Sequence, residues 1–212
     1  MKKVITILLT MISLLVASAL SAQTRSLSNP EEFNALLARE AQTLKSIESD
    51  FIQYKYLDVF DETITSHGKF YYQKENKISM SYNKPLDYLI VINNNQLKIV
   101  SDGKTNVMNL SANKMMNQMQ DMLTACMVGD LSRLSSDYEL TYFEDDSNYF
   151  VRIKPVNKNI LAYIVGIEIY LDKKDLSVNK LRLSETETNY TEYLFKNKKF
   201  NTLTDEKIFK IR

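Results

Sequence analysis

The chain has 212 residues, 44% hydrophobic and 25% charged, a composition that supports one globular domain with a buried core and argues against disorder. Lys and Arg number 27 against 26 Asp and Glu, and no basic block stands out, so no overall field gathers a polyanion and nucleic acid is not the expected partner. Cys126 is the lone cysteine, which rules out an internal disulfide and leaves stability to apolar burial.

Residues 1–22 differ in kind from the rest. "MKK" gives a short cationic start, "VITILLTMISLLVA" an apolar run, and "ASALSAQ" small residues for cleavage, the pattern of a secretory signal peptide. The run is short and rich in Ser and Thr for a membrane span, and an uncleaved anchor is the competing reading. Cleavage is expected after Ala22, with Ala19 second. No cysteine follows the run to accept a lipid, and loss of Lys2 and Lys3 takes the formal charge from +1 to −1. Residues 23–212 are then expected to form a single soluble, monomeric, exported domain.

The next element predicted is a helix over "SNPEEFNALLAREAQTLKSIES". Asn29 is placed to cap it, Pro30 sits at the first helical position, and Glu31 and Glu32 fall in the first turn, where they complement the helix dipole. Phe33, Leu36, Leu37, Ala41, Leu44 and Ile47 share one face at a period near 3.6, so one side is to be buried.

From Phe51 the period falls to two. About eleven strands are predicted, over 51–60, 64–73, 77–83, 86–93, 96–101, 105–110, 138–144, 148–154, 163–172, 176–187 and 189–200. "KISMSYNK" is the cleanest, with Ile78, Met80 and Tyr82 on one face and Lys77, Ser79, Ser81 and Asn83 on the other. Most connections, such as "NNNQ", "SDGK", "EDDSN" and "DKKD", are too short for a parallel crossover. The fold class expected is mostly β within α+β: an antiparallel meander that curls into an incomplete barrel.

One interruption, about 111–136, breaks the meander. It holds "NKMMNQMQDML", in which Met115, Met119 and Met122 recur at i, i+4 and i+7 and Leu123 and Met127 extend the stripe. Such a helix can fill the core against the sheet or cover the mouth of the barrel as a lid, and the two roles are compatible.

Catalytic and metal chemistry find little support. His67 is the sole histidine, stands beside Gly68, and has no nucleophile elbow for company; a solvated strand residue is the plain reading, with a dyad to Cys126 the alternative. Cys126 itself reads as a small buried hydrophobe, a reactive thiol being the other possibility. One His, one Cys and scattered carboxylates give no metal-ligand spacing, and Asp145 and Asp146 in "EDDSN" lack a calcium-loop frame and read as a hairpin turn. No cofactor is expected. The 13 tyrosines suit a packed sheet or cavity edge better than base stacking, Tyr54, Tyr56, Tyr190 and Tyr193 among them.

The order of these elements resembles the LolA/LolB-type periplasmic lipoprotein carriers. In "IESDFIQ", Phe51 and Gln53 match the Phe-x-Gln that opens that family's sheet. In "GKFYYQKENKISMSYNKP", Gly68, an aromatic strand, the basic Lys74, a second strand and Pro85 follow at the family's spacing. The likeness covers roughly residues 30–200 and rests on the order of many short motifs. It departs where the family has an Arg-Pro pair and this chain has Lys74–Glu75, where the family has an Asp-Gly turn and this chain has Asn94–Asn95, and in having no tryptophan.

The resemblance implies a carrier, not an enzyme, that hides the acyl chains of lipoproteins or other lipid amphiphiles. Such a protein docks transiently on an inner-membrane releasing transporter and an outer-membrane acceptor; relatives of the same fold also act as lipid sensors. Candidate residues for the inner wall are Phe51, Phe70, Tyr72, Ile78, Met80, Tyr82, Tyr88, Ile90, Leu97 and Ile99, with Met115, Met119 and Met122 at the lid. Lys74 stands where the family's arginine holds the lid shut. It offers charge and three donors without the planar fork, which implies a differently built latch.

Overall fold

A computed structural model describes residues 24–74, 76–83, 86–112, 114–134 and 136–211; the leader expected at 1–22, Glu75 and Pro85 lie outside the described residues. In chain order the elements are β1 (Arg25–Ser26), α1 (Pro30–Thr43), β2 (Ser46–Leu57), β3 (Glu62–Gln73), β4 (Lys77–Tyr82), β5 (Leu89–Asn93), β6 (Gln96–Ser101) and β7 (Lys104–Asn109). Then follow α2 (Lys114–Val128), β8 (Tyr138–Glu144), β9 (Asn148–Pro155), a helical turn at Lys158–Leu161, β10 (Gly166–Asp172), β11 (Val178–Ser184) and β12 (Tyr190–Phe200).

All twelve strands belong to one antiparallel sheet that stays open. Two meanders supply it: β2 to β7 pair in succession, β8 to β12 do the same, and β12 returns to lie beside β2. The margins are therefore β7 at one end and the short β1 on β8 at the other. The chain between β7 and β8 has to pass from one margin to the opposite one, and this passage carries α2, flanked by 3-10 turns at Leu110–Ala112 and Leu131–Arg133. An incomplete antiparallel barrel with an N-terminal helix and a helical insertion is thus the architecture observed.

Asn29 caps α1 as its sequence predicts: its Oδ1 accepts from the Glu32 backbone N–H at 3.2 Å, and its Nδ2 donates to the Glu32 carboxylate at 3.0 Å. The helix is shorter than the periodicity predicts. It ends at Thr43, Leu44 turns to extended backbone, and Ile47, expected on the helical face, is the second residue of β2. The reason is register: Ile47, Ser49 and Phe51 lie opposite Tyr72, Phe70 and Gly68, so a period-two phase shared with β3 overrides a helical phase that has no such partners. At its far end β2 stops before a turn at Asp58–Phe60 and the left-handed Asp61, instead of running to residue 60.

One continuous core lies on the concave side. The first meander contributes Phe51, Phe70, Tyr72, Ile78 and Met80, and the second contributes Val151, Ile153, Ile167, Ile169, Leu171 and Leu181. α1 adds Phe33 and Leu37, with the Phe33 ring 4.4 Å from that of Tyr149, and α2 adds Met122, Cys126 and Met127. A smaller cluster on the convex side joins Val91 of β5 to Phe209 and Ile211, where the C-terminal chain folds back and the Asn93 amide donates to the Phe209 carbonyl at 3.0 Å.

Candidate functional site

The concave face is where the sequence leaves apolar surface to spare, and it is not filled throughout. A cavity of about 220 Å³ opens between the last turns of α1, the C-terminal end of α2 and the sheet. Leu37 and Ala41 wall it from α1, Leu44 from just beyond the helix, and Met127 and Val128 from α2. Ile47, Phe70, Val178, Phe195 and Phe200 form its floor. Gly129, at φ 77°, ends α2 in the left-handed conformation that suits glycine, and a side chain there would press on the Leu171 methyl at 3.3 Å. An apolar cavity of ~150 Å³ accepts a benzene ring. This one therefore admits a short stretch of aliphatic chain as it stands, and a larger cargo requires a helix to shift.

The candidate residues distribute unevenly around it. Phe70 lines the cavity. Phe51, Tyr72, Ile78, Met80 and Met122 are packed in the core, while Tyr82, Ile90 and Met119 lie half-buried against it. Tyr88 meets the ring of Tyr82 at 5.7 Å. Leu97 and Ile99 lie half-buried on β6 opposite Ile92 and Ile90, and Met115 is half-buried near the start of α2. The methionine stripe thus faces the sheet through Met119, Met122 and Met127, and it reaches the cavity only at Met127.

Lys74 does donate to a backbone carbonyl, but that of Gln42 in the last turn of α1, at 2.9 Å. It satisfies an end carbonyl of the first helix, where a cation also suits the helix dipole. α2 is tied elsewhere: the Gln120 amide donates to the Asn94 carbonyl at 3.1 Å and the Gln118 amide to Asp137 at 3.3 Å. Asn94, at φ 53°, belongs to the very turn where the chain departs from an Asp-Gly pair.

Sequence reasoning missed Lys198. The register of β12 against β2 shifts between Lys196 and Lys199, and Asn197 takes φ 53°, so Asn197 and Lys198 together oppose one residue of β2. Such a bulge re-aims side chains. Asn197 turns outward to Asp50 at 2.8 Å, and Lys198 turns inward to line the cavity. Its ammonium donates to Ser177 Oγ, to Asn179 Oδ1 at 2.6 Å and, at 3.4 Å, to the Val178 carbonyl. Burial lowers its pKa, and the nearby Asp175 and Asp172 oppose that shift.

Reactive chemistry is poorly placed. Cys126 is free and fully buried, and burial pushes its thiol up to about 12, so it is held as a neutral core side chain. His67 is exposed on β3, and no group of three or more metal-ligating side chains occurs among the described residues. Asp145 accepts the Ser147 and Asn148 backbone N–H groups at 2.7 Å, the work of a hairpin turn. No helix among the described residues is long and apolar enough to cross a membrane.

Known structures resemble this fold. An uncharacterised conserved protein from Thermus thermophilus superposes with a TM-score of 0.50 at 7% identity, over 86% of this chain and 94% of that one. A LolA superfamily protein from Nitrosomonas europaea matches with a TM-score of 0.42 at 8% identity, over 84% and 97%. The Mycobacterium tuberculosis lipoprotein LppX matches with a TM-score of 0.44 at 7% identity, over 82% and 96%. No curated protein sequence matches the chain. The family model described as outer membrane lipoprotein carrier protein LolA matches residues 42–212, from the end of α1 through every strand from β2 to β12, and the chain belongs to the LolA family.

Proposed function

We propose that this protein is a periplasmic carrier, exported with a cleaved signal peptide, that takes the acyl chains of lipoproteins under its two helices and shuttles them from the inner to the outer membrane. The observation that carries this reading is the unfilled apolar cavity beneath α1 and α2 on an open sheet. An acyl chain in water costs ~0.8 kcal/mol for each exposed methylene, so cargo in transit needs an enclosing apolar wall. Complete burial of several chains would sum to tens of kcal/mol on the same scale and prevent release. A cavity that has to displace its own helices offsets part of that gain. Met115, Met119 and Met122 then exchange contacts with the inner wall for contacts with the cargo, which unbranched side chains do at little strain.

In this role the protein binds and releases without catalysing a reaction, and it docks in turn on a releasing transporter and an outer-membrane acceptor. Depletion tests the reading directly. Lipoproteins should accumulate in the inner membrane of depleted cells, as measured by membrane fractionation. Normal sorting after depletion would replace the carrier with a module that senses lipid without transporting it.

A further inference from the structure

The cavity has an apolar floor of Ile47, Phe70, Val178, Phe195 and Phe200, and its polar lining includes Ser49, Ser177 and Asn201 together with the charged Glu40, Asp175 and Lys198. Where β12 bulges, Lys198 brings an ammonium into it, and no carboxylate lies within ion-pair distance of that ammonium among the described residues. Other lysines meet carboxylates on the sheet surface or at its turns, as Lys69 does with Asp50 and Lys199 with Glu48. Regular alternation would not give two adjacent residues of β12 to one residue of β2; the bulge does so and turns the charge inward.

The acidic groups around it are engaged elsewhere. Asp175 accepts the Ser177 N–H and hydroxyl, and Asp172 accepts the Lys174 N–H and the Asn179 amide. Their field helps keep the ammonium protonated without pairing it. Glu40 lies at the exposed side of the cavity on α1. A half-buried ammonium held by neutral oxygens keeps its charge uncompensated, so an anion that reaches it gains a coulombic attraction that those oxygens do not supply.

We infer that Lys198 is the headgroup anchor of this cavity, and that the ligand it selects is a single aliphatic chain ending in an anionic oxygen group, a carboxylate or a phosphate. The chain lies against Phe70, Phe195 and Met127, and the anion replaces the long bond from Lys198 to the Val178 carbonyl. The cavity volume of about 220 Å³ suits one chain segment. The assignment rests on the acyl-chain-binding reading above and adds an anionic single-chain lipid to the ligands of the same cavity.

Calorimetric titration of the purified full chain with decanoate, decyl phosphate and decanol tests it. The wild-type protein should bind at least one of the two anions about tenfold more tightly than the alcohol, equivalent to ~1.4 kcal/mol. Whichever anion is favoured identifies a fatty-acid or a phospholipid source. Lys198→Met should bind all three alike, and Lys198→Arg should keep the preference. The arginine variant also guards against a merely structural role in bracing the turn before β11. Equal binding of alcohol and anions by the wild type, or an unchanged preference in Lys198→Met, overturns the anchor and leaves the carrier reading standing. Failure of all three to bind overturns both.

Discussion

The two meanders follow the same alternation of inward apolar and outward polar residues, yet they are buried to different depths. In the second, Val151, Ile153, Ile167, Ile169, Leu171 and Leu181 are fully enclosed, because they pair across β9, β10 and β11 and α1 closes over the neighbouring β8 and β9 through Phe33. In the first, burial declines strand by strand from β4 outward, Leu97 and Ile99 remain half-buried, and β7 is exposed at every residue. One half is a packed wall and the other a looser wing, and α2 reaches both, with Met122 and Cys126 in the core and Gln120 on the turn between β5 and β6. Elements with few buried apolar contacts open at low free energy. Movement that admits cargo is thus expected on the wing side, with the wall as its fixed reference.

The largest expected effect puts that contrast to direct test. Leu181→Ala removes a side chain from the enclosed wall and should destabilise by about 2–5 kcal/mol, as large-to-small core changes do. Leu97→Ala, made on the wing, should cost ~1 kcal/mol or less because the site is already partly hydrated. Denaturant unfolding of both variants, with slopes compared, gives the answer. Equal losses would mean that the two halves are equally packed and that burial depth is no guide to which one opens.

Within the first meander, the packing of β2, β3 and β4 turns on a single glycine. A β-carbon at Gly68 would stand 2.2 Å from the Ser81 carbonyl oxygen and 2.5 Å from the Phe51 ring, which lies across it. Gly68→Ala should therefore cost about 1–3 kcal/mol through overpacking, less than Leu181→Ala but more than Leu97→Ala. Adding Phe51→Leu removes the ring contact and leaves the backbone contact, so the double variant should lose less than the sum of the singles. Simple additivity in thermal melts would show that ring and glycine do not share the strain.

These sites mark how far sequence reaches. Phe51, Gln53 and Gly68 are visible as motif residues, whereas the reason for the glycine exists only in the register that sets the Phe51 ring upon it. The strands with turn residues between them announce themselves because their alternation is local. β1 does not, since two residues carry no period, and its pairing with β8 depends on chain more than a hundred residues away. Ile47 satisfies the helical and the strand phase equally until β3 is placed beside it. Lys198 looks like one more lysine in "KNKKF", because a bulge is a property of two paired strands and not of one. The cavity inherits the same limit, formed as it is by α1, α2 and both meanders together.

The smallest expected effect separates the two helices as gates. Gln120 and Lys74 each hold a helix by donating to one backbone carbonyl, the first fixing α2 to the β5–β6 turn and the second fixing the end of α1. Gln120→Leu loses a bond worth ~0.5–1.5 kcal/mol net. It also removes the buried Gln120 Oε1, which has no hydrogen-bond partner among the described residues, so the two changes partly cancel and stability should move little. Lys74→Leu removes an exposed donor from a helix end and should cost a few tenths of a kcal/mol, as surface charge contacts do. Their effects on uptake should differ. If the wing side gates the cavity, Gln120→Leu releases α2 from it and should speed association of a fluorescent fatty acid several-fold in stopped-flow mixing, while Lys74→Leu leaves that rate unchanged. The reverse pattern would place the gate at α1, whose Leu37 and Ala41 form the opposite cavity wall. Faster uptake in neither variant would leave the methionine helix as fixed core, and the contrast between wall and wing would then describe stability without describing access.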